Sequence, residues 1–267
     1  MNYIYNNLYK NSPYYAISHN VSEVYIPLDP SWKNIGVTLS GGADSAILTY
    51  MVCSLIQDLQ MDVTIHVIYN IRMWKLRPWQ AYVSNNVYEY FLKKFPNLKF
   101  RRHENFVPPS IEWGYIGPSI PDENGHYTSG DIIELKSFGE YICHKFNLDV
   151  GYLGVNKNPS IKFEGALTDR DVSVSELAIE NFIVKRNNTL ICHPFRILEK
   201  DKIIKSYHDL GVLDLLTITR SCEGDTAAYP EIFNGVDYTT YVPGQVVPEC
   251  GRCFWCNERS WGIENAK

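Results

Sequence analysis

The chain has 267 residues, of which 45% are apolar and 21% charged, and its formal net charge is −5. This length and composition allow one substantial core, or one core with a small appendage. The acidic balance argues against a nucleic-acid ligand, because domains that hold a phosphate backbone are usually basic. Neither a secretion signal nor an apolar run long enough to span a membrane is visible, so we expect a cytoplasmic protein.

Short apolar runs alternate with helical periods over most of the chain. Strands are predicted at 23–28, 35–39, 62–69, 98–101, 150–155 and 189–192, and helices at 45–57, 79–94, 131–146, 173–181 and 198–210. The stretches 104–130 and 157–170 are predicted to be irregular. Strands that alternate with helices indicate a parallel twisted sheet with helices on both faces. We therefore predict a Rossmann-like α/β domain over 31–212, an extension over 1–30, and a cysteine-containing tail over 213–267 with little regular structure.

A glycine turn joins the first core strand to the first helix, with the sequence Ser40-Gly41-Gly42-Ala43-Asp44-Ser45. Glycine lets backbone N–H groups approach an anion at the positive end of a helix, and the Ser40 and Ser45 hydroxyls are further donors. Asp44 would repel phosphate, which indicates either a Mg²⁺ ion between them or a role in ordering the turn. The turn is therefore predicted to bind the phosphates of ATP. No Gly-x-x-x-x-Gly-Lys-Ser/Thr string occurs elsewhere in the sequence.

Seven cysteines are too few for a disulfide scaffold in a chain of this length, and their spacing is uneven. Three of them, near the end of the chain, are separated from one another by two residues, and the best fourth ligand lies outside the predicted elements. The four are Cys222, Cys250, Cys253 and Cys256. Four thiolates suit a structural Zn²⁺ ion, but an iron–sulfur cluster uses the same ligands and is not excluded by the spacing.

The turn at 40–45 resembles the PP-loop signature of the adenine nucleotide alpha-hydrolase superfamily, which splits ATP between the α and β phosphates. Together with the cysteine set it resembles the 7-cyano-7-deazaguanine synthase (QueC-like) family. Three stretches between 152 and 222 are similar to that family in the same order: Tyr152-Leu153-Gly154-Val155-Asn156, Pro194-Phe195-Arg196-Ile197-Leu198-Glu199-Lys200, and Thr219-Arg220-Ser221-Cys222.

This resemblance implies an ATP-dependent C–N ligase that adenylates 7-carboxy-7-deazaguanine, or a related carboxylate, and couples it to ammonia or another amine, releasing AMP and pyrophosphate. It implies that Ser40, Gly41, Gly42, Asp44 and Ser45 bind the phosphates. Lys200 would be a second contact, opposing the charge that builds on the pyrophosphate. The adenine would lie near residues 68–70. The family's enzymes commonly pair as homodimers, but the sequence leaves the oligomeric state of this chain open.

Departures from the family's pattern leave the acceptor open. His126-Tyr127-Thr128-Ser129-Gly130-Asp131 stands where the family has an Arg-Asn pair, and Arg72-Met73-Trp74-Lys75-Leu76-Arg77 replaces a Tyr-Gln-x-x-His string. The product is an amide or a nitrile, and the amine could belong to a protein. Loop side chains that could contact the acceptor, each more often a packing residue, are Trp113, Tyr115, Tyr127, Phe163 and Asp171.

Two other functions remain open at the level of the sequence. One is a PP-loop tRNA-modifying thiolase with an iron–sulfur cluster, and the other is a non-catalytic nucleotide-binding partner subunit. Analysis of the bound metal distinguishes the thiolase, which holds iron, from a zinc-containing ligase. Formation of AMP from ATP distinguishes an enzyme from the non-catalytic subunit.

Overall fold

A computed structural model of the chain describes residues 3–4, 16–17, 24, 26–72, 79–107, 130–163, 170, 183–186, 189–223, 230–236 and 240–266. The helix predicted at 173–181 lies outside these residues. So do Trp113, Tyr115, Tyr127 and Asp171, and the basic residues Lys75 and Arg77.

In the described part of the chain, eight strands form two sheets. β1 (Tyr3–Ile4) and β2 (Ala16–Ile17) make a short antiparallel pair. The main sheet has the order β5-β4-β3-β6-β8-β7 and contains β3 (Asn34–Thr38), β4 (Thr64–Arg72), β5 (Lys99–Val107), β6 (Val150–Tyr152), β7 (Ile183–Arg186) and β8 (Thr189–Cys192). Five strands are parallel, and β7 pairs with β8 in the antiparallel direction at one edge.

Seven helices are described: α1 (Ala43–Asp58), α2 (Gln80–Lys94), α3 (Gly130–Lys145), α4 (Lys200–Asp209), α5 (Leu213–Ile218), α6 (Pro230–Phe233) and α7 (Phe254–Asn265). None of the described helices is long and apolar enough to cross a membrane.

The side chains of β4 alternate between two packed layers, as the two-residue period of a strand requires. Ile65 and Val67 belong to the main core, whereas Ile68 packs with Ile142 of α3. Helices therefore cover both faces of the sheet, and the predicted α/β fold is confirmed. The strand order steps outward from β3 to β4 on one side and to β6 on the other, so the carboxyl end of β3 is a topological switch point, where ligands bind in this class of sheet.

The main core draws on residues from Val24 to Ala266. It includes Val24 and Ile26, at the end of the predicted extension, and Leu215 and Leu216 of α5, in the predicted tail. The division into extension, domain and tail stays a prediction.

Several sequence-based boundaries were wrong. The third core strand continues to Val107, into the stretch predicted to be irregular from 104 onward. Residues 24 and 26–28 lie in no strand, and the edge strand β7 was not predicted. The tail is more regular than predicted, because α5 and α7 both lie within it. α7 packs along α4, so tertiary contacts rather than an evident apolar stripe account for that helix.

Candidate nucleotide site and cysteine cluster

The glycine turn lies at the carboxyl end of β3 and leads directly into α1. Gly41 has φ +82, a left-handed conformation that glycine adopts without strain, and Gly42 caps the helix. A Cβ on Gly41 would lie 3.0 Å from the backbone nitrogen of Ser84 in α2, so the turn is also closely packed from behind. The first-turn N–H groups of α1 point to the end of the sheet, where they can meet an anion.

Hydroxyl groups fix the shape of this turn. Ser45 Oγ donates to the Gly42 carbonyl at 3.1 Å and accepts the Ser40 N–H at 3.2 Å. Ser40 Oγ lies 3.1 Å from Ser45 Oγ and accepts the Gly42 N–H at 3.3 Å. Since the proton of Ser45 is used on the Gly42 carbonyl, the Ser40 hydroxyl donates to Ser45. The two serines therefore order the backbone that would face a phosphate.

Lys200 reaches the turn from the first residue of α4. Its Nζ lies 2.6 Å from Asp44 Oδ1 and 2.5 Å from Oδ2. The lysine side chain is 2% exposed and that of Asp44 is 19% exposed. Sequence reasoning placed both residues at the phosphates, and the structure brings them together across 156 residues of chain.

Behind Lys200 lies a fully buried carboxylate that sequence reasoning missed, that of Glu258. Its Oε2 is 3.4 Å from Lys200 Nζ, and its Oε1 accepts from Arg170 and, at 3.1 Å, from Asn156 Nδ2. Burial opposes ionisation of Glu258, but the charges of Lys200 and Arg170 hold the pKa of its carboxyl below the usual value. Asp44, Lys200, Glu258 and Arg170 therefore form one chain of alternating charges that lies next to the turn.

A cavity of about 250 Å³ opens onto this charge chain. Its lining combines the turn, the loop after β6, and the segments that carry the cysteines: Ser40, Gly42, Asp44, Gly154, Val155, Asn156, Arg170, Lys200, Arg220, Ser221, Glu223 and Trp255. Three of the lining side chains are cationic and two are anionic, and the buried Glu258 carboxylate lies against two of the cations, so the charges around the cavity balance. A phosphate at the turn would meet Lys200 and the first-turn N–H groups of α1.

The four cysteines of the predicted set are brought together. Their Sγ atoms all lie within 4.8 Å of one another, and those of Cys250 and Cys256 are 3.8 Å apart. Backbone N–H groups of Cys250 and Cys253 donate to sulfurs of the cluster at 3.3 Å each. N–H donors of this kind support thiolate ligands. Four soft sulfur donors in this arrangement fit a tetrahedrally bound metal ion.

The cysteine cluster and the cavity share structural elements. The Arg220 N–H donates to the Gly41 carbonyl at 3.0 Å, while its guanidinium donates to the carbonyls of Val247 and Pro248, just before Cys250. Helix α7 begins at the cluster, with Cys253 as its cap and Cys256 in its first turn, and two residues later carries Glu258 into the charge chain. One turn further on, Gly262 lies against Lys200.

No protein-family model matches the sequence, and no curated protein matches it. Among solved structures, it is similar to the U34-tRNA thiolase NcsA from Methanococcus maripaludis with its [4Fe-4S] cluster, at 12% identity and a TM-score of 0.41 over 67% of this chain. It is also similar to the Candida glabrata FMN adenylyltransferase in complex with FMN and the ATP analogue AMPCPP, at 12% identity and a TM-score of 0.36.

The chain spans 57% of the length of the thiolase, and the second similarity covers 90% of this chain and 68% of the adenylyltransferase. At such low identity and TM-score, neither similarity bears on what this chain binds. The functional argument therefore rests on the geometry of its own residues.

The predicted adenine region lies beside the turn, because the Leu39 N–H donates to the Ile68 carbonyl at 2.9 Å. Phe163, one of the loop side chains considered for the acceptor and more often a packing residue, packs edge-on against Phe254 of α7 with ring centroids 6.3 Å apart. Cys53 and Cys192 are buried and do not belong to the cluster.

Arg170 and Glu258 were missed because each lies in a stretch without regular pattern in the sequence. The sequence offered one indication for Glu258, which is an acidic residue two positions after Cys256 of the predicted metal-binding set.

Proposed function

We propose that the chain is an AMP-forming, ATP-dependent ligase of the PP-loop type, which activates a carboxylate and couples it to ammonia or an amine. The observation that carries this proposal is that Lys200 lies against Asp44 of the Ser40–Ser45 turn and that both residues line one cavity. A simple strand-to-helix turn would not require a buried lysine at its mouth.

In the proposed reaction, the N–H groups at the start of α1 bind the β and γ phosphates. Lys200 lies where charge develops on the pyrophosphate as the α–β bridge breaks, and a preorganised cation is worth most there. A carboxylate oxygen of the acceptor forms a bond to the α phosphorus, and pyrophosphate leaves. Ammonia then adds to the mixed anhydride carbon, loses a proton, and AMP departs to give an amide.

Asp44 is the carboxylate that would hold Mg²⁺ beside the phosphates, since it is partly exposed to the cavity at the turn. The ion would neutralise phosphate charge when bound. Lys200 pairs with the same carboxylate.

We further propose that Cys222, Cys250, Cys253 and Cys256 hold a structural Zn²⁺ ion. A tetrahedral zinc with bonds of about 2.3 Å separates its sulfur ligands by about 3.8 Å. That value agrees with the 3.8 Å between Cys250 Sγ and Cys256 Sγ. A four-iron cluster separates its cysteine sulfurs further, because iron and sulfide ions lie between them. The ion would fasten α7, and with it Glu258, to the cavity.

The acceptor is proposed to be 7-carboxy-7-deazaguanine or a related deazapurine, on the strength of the sequence resemblance. Purified protein incubated with ATP, Mg²⁺, ammonium and 7-carboxy-7-deazaguanine is expected to release AMP, detected by chromatography, only when the acid is present. Absence of acid-dependent AMP would overturn the deazapurine assignment. ATP binding without AMP from any carboxylate would instead indicate a non-catalytic subunit. Iron with acid-labile sulfide would favour the thiolase.

A further inference from the structure

Arg170 is a buried cation, and one nitrogen of its guanidinium has no hydrogen-bond partner among the described residues. Its side chain is 4% exposed. Nε donates to the Asn156 carbonyl at 2.9 Å, and Nη2 donates to the Lys157 carbonyl at 3.1 Å and to Glu258. Nη1 is buried and has no hydrogen-bond partner within the described part of the chain. A charged donor left unpaired in a buried position costs free energy, so a ligand that accepts its protons would bind there favourably.

The unpartnered nitrogen belongs to a residue that lines the nucleotide cavity. The guanidinium carbon lies 5.2 Å from the ring centroid of Phe254 and 5.3 Å from that of Trp255. With two nitrogens engaged and two rings beside it, the Arg170 guanidinium has a fixed orientation. Planar guanidinium groups held in this way recognise carboxylate and phosphate oxygens with defined geometry.

Glu258 lies between the two buried cations of the charge chain. Lys200 lies at its Oε2 and Arg170 at its Oε1. Lys200 also holds Asp44 at the phosphate turn, whereas Arg170 lies beyond Glu258, among Asn156 and the aromatic residues of α7. Phosphates bound at the turn therefore meet Lys200, and Arg170 remains for the second substrate.

We propose that Arg170 Nη1 binds the carboxylate of the acceptor and that the half-buried ring of Trp255, which also lines the cavity, stacks on a flat acceptor ring. The acceptor class is accordingly a planar aromatic acid. Arg170 would hold one carboxylate oxygen and leave the other free to attack the α phosphorus, with pyrophosphate as the leaving group. This inference rests on the proposed AMP-transfer reaction, but it concerns a different part of the cavity from the phosphate turn.

The test compares acids with their amides. Binding of 7-carboxy-7-deazaguanine and of indole-3-carboxylate, each beside its carboxamide, is measured by saturation-transfer NMR in the presence of AMPCPP. The proteins are wild type, Arg170→Gln, Arg170→Lys, and Arg101→Gln as a control that removes an equal charge from β5, outside the cavity lining. Wild type and Arg101→Gln are expected to prefer acid over amide. In Arg170→Gln the acid binds about 10- to 100-fold more weakly, the range expected for a hydrogen bond to a charged group, and the preference disappears.

Binding of AMPCPP by calorimetry is expected to stay within about threefold of wild type in both Arg170 variants, because the phosphates meet Lys200 instead. Arg170→Lys keeps a charge beside Glu258 if the glutamine variant does not fold, and is also expected to lose most of the preference. A wild-type protein that binds neither acid, or an Arg170 variant that retains the preference, would overturn the proposal. An acid preference without AMP release from 7-carboxy-7-deazaguanine would overturn the deazapurine substrate and leave the role of Arg170 standing.

Discussion

Replacing Gly262 with alanine should displace the lysine at the phosphate turn. A Cβ at this position of α7 would lie 2.5 Å from Lys200 Cγ and 3.2 Å from its backbone carbonyl carbon. Carbon atoms prefer a separation of about 3.5–4.0 Å, so the lysine stem or the helix must move by roughly 1 Å. Lys200 Nζ is held by both Asp44 oxygens and therefore has little freedom to adjust without breaking that pair.

Overpacking of this kind costs about 1–3 kcal/mol, against which the higher helix propensity of alanine returns up to about 1 kcal/mol. We expect a net loss of roughly 0–2 kcal/mol, a fall in Tm of a few degrees, and a drop of tenfold or more in AMP formation, because misplacement by about 1 Å can cost up to 10²-fold in rate.

Gly139→Ala is the matched control. Gly139 also lies within a helix, and a Cβ there meets nothing within 4 Å. Its Tm should stay the same or rise, and its AMPCPP affinity and AMP formation should equal those of wild type. Thermal unfolding, calorimetry with AMPCPP and the AMP assay are run on all three proteins. If Gly262→Ala bound AMPCPP and turned over like Gly139→Ala, Lys200 would not act at the phosphates as we describe.

Three further outcomes are expected. Burial lowers the pKa of His66 to about 4, with a contribution from His103, whereas the unfolded value is near 6.5. The unfolded chain therefore binds more protons than the folded protein between pH 6.5 and 4, so the free energy of unfolding falls by roughly 2 kcal/mol, after allowance for solvent screening, as the pH drops from 6.5 to 4. His66→Asn should flatten this part of the profile of unfolding free energy against pH, measured with urea, and an unchanged slope would show that His66 does not cause it. Chelation with a zinc-specific reagent, or Cys250→Ser, should both lower Tm by several degrees or more and weaken AMPCPP binding, because α7 carries a cysteine of the cluster as well as Glu258. A lower Tm with unchanged AMPCPP binding would show that the cluster does not support the cavity. Glu258→Gln should lower the free energy of unfolding in urea by about 3–5 kcal/mol, because two buried cations lose their shared carboxylate. A decrease of less than about 1 kcal/mol would show that water solvates these charges.

The elements that the sequence predicted well share a local cause. The turn at 40–45 follows a buried apolar run and carries its own glycines, so its position and its role as a helix start could be deduced from neighbouring residues alone. Cys250, Cys253 and Cys256 are similarly close in sequence, and their mutual proximity needs no knowledge of the rest of the chain. The parallel sheet followed from alternation of strands and helices, which is also a short-range pattern.

The charge chain could not be deduced in the same way. Arg170 and Glu258 meet across 88 residues, and Asp44 and Lys200 across 156, so each contact depends on how complete elements pack. Helix α7 was missed for a related reason. Its buried residues include Phe254, Glu258 and Gly262, which do not make the apolar stripe of a surface helix, because one side meets the cysteine cluster and another meets Lys200.

Calorimetric titration of the zinc-loaded protein with AMPCPP in the presence of Mg²⁺ asks only whether the turn and Lys200 hold the phosphates of ATP. Wild type is expected to bind one equivalent, and Lys200→Met, which keeps the buried stem but removes the ammonium, is expected to bind at least tenfold more weakly, since hydrogen bonds between charged groups are worth about 1.5–3 kcal/mol. Equal affinity of the two proteins, or no binding to a folded wild type, would contradict the account.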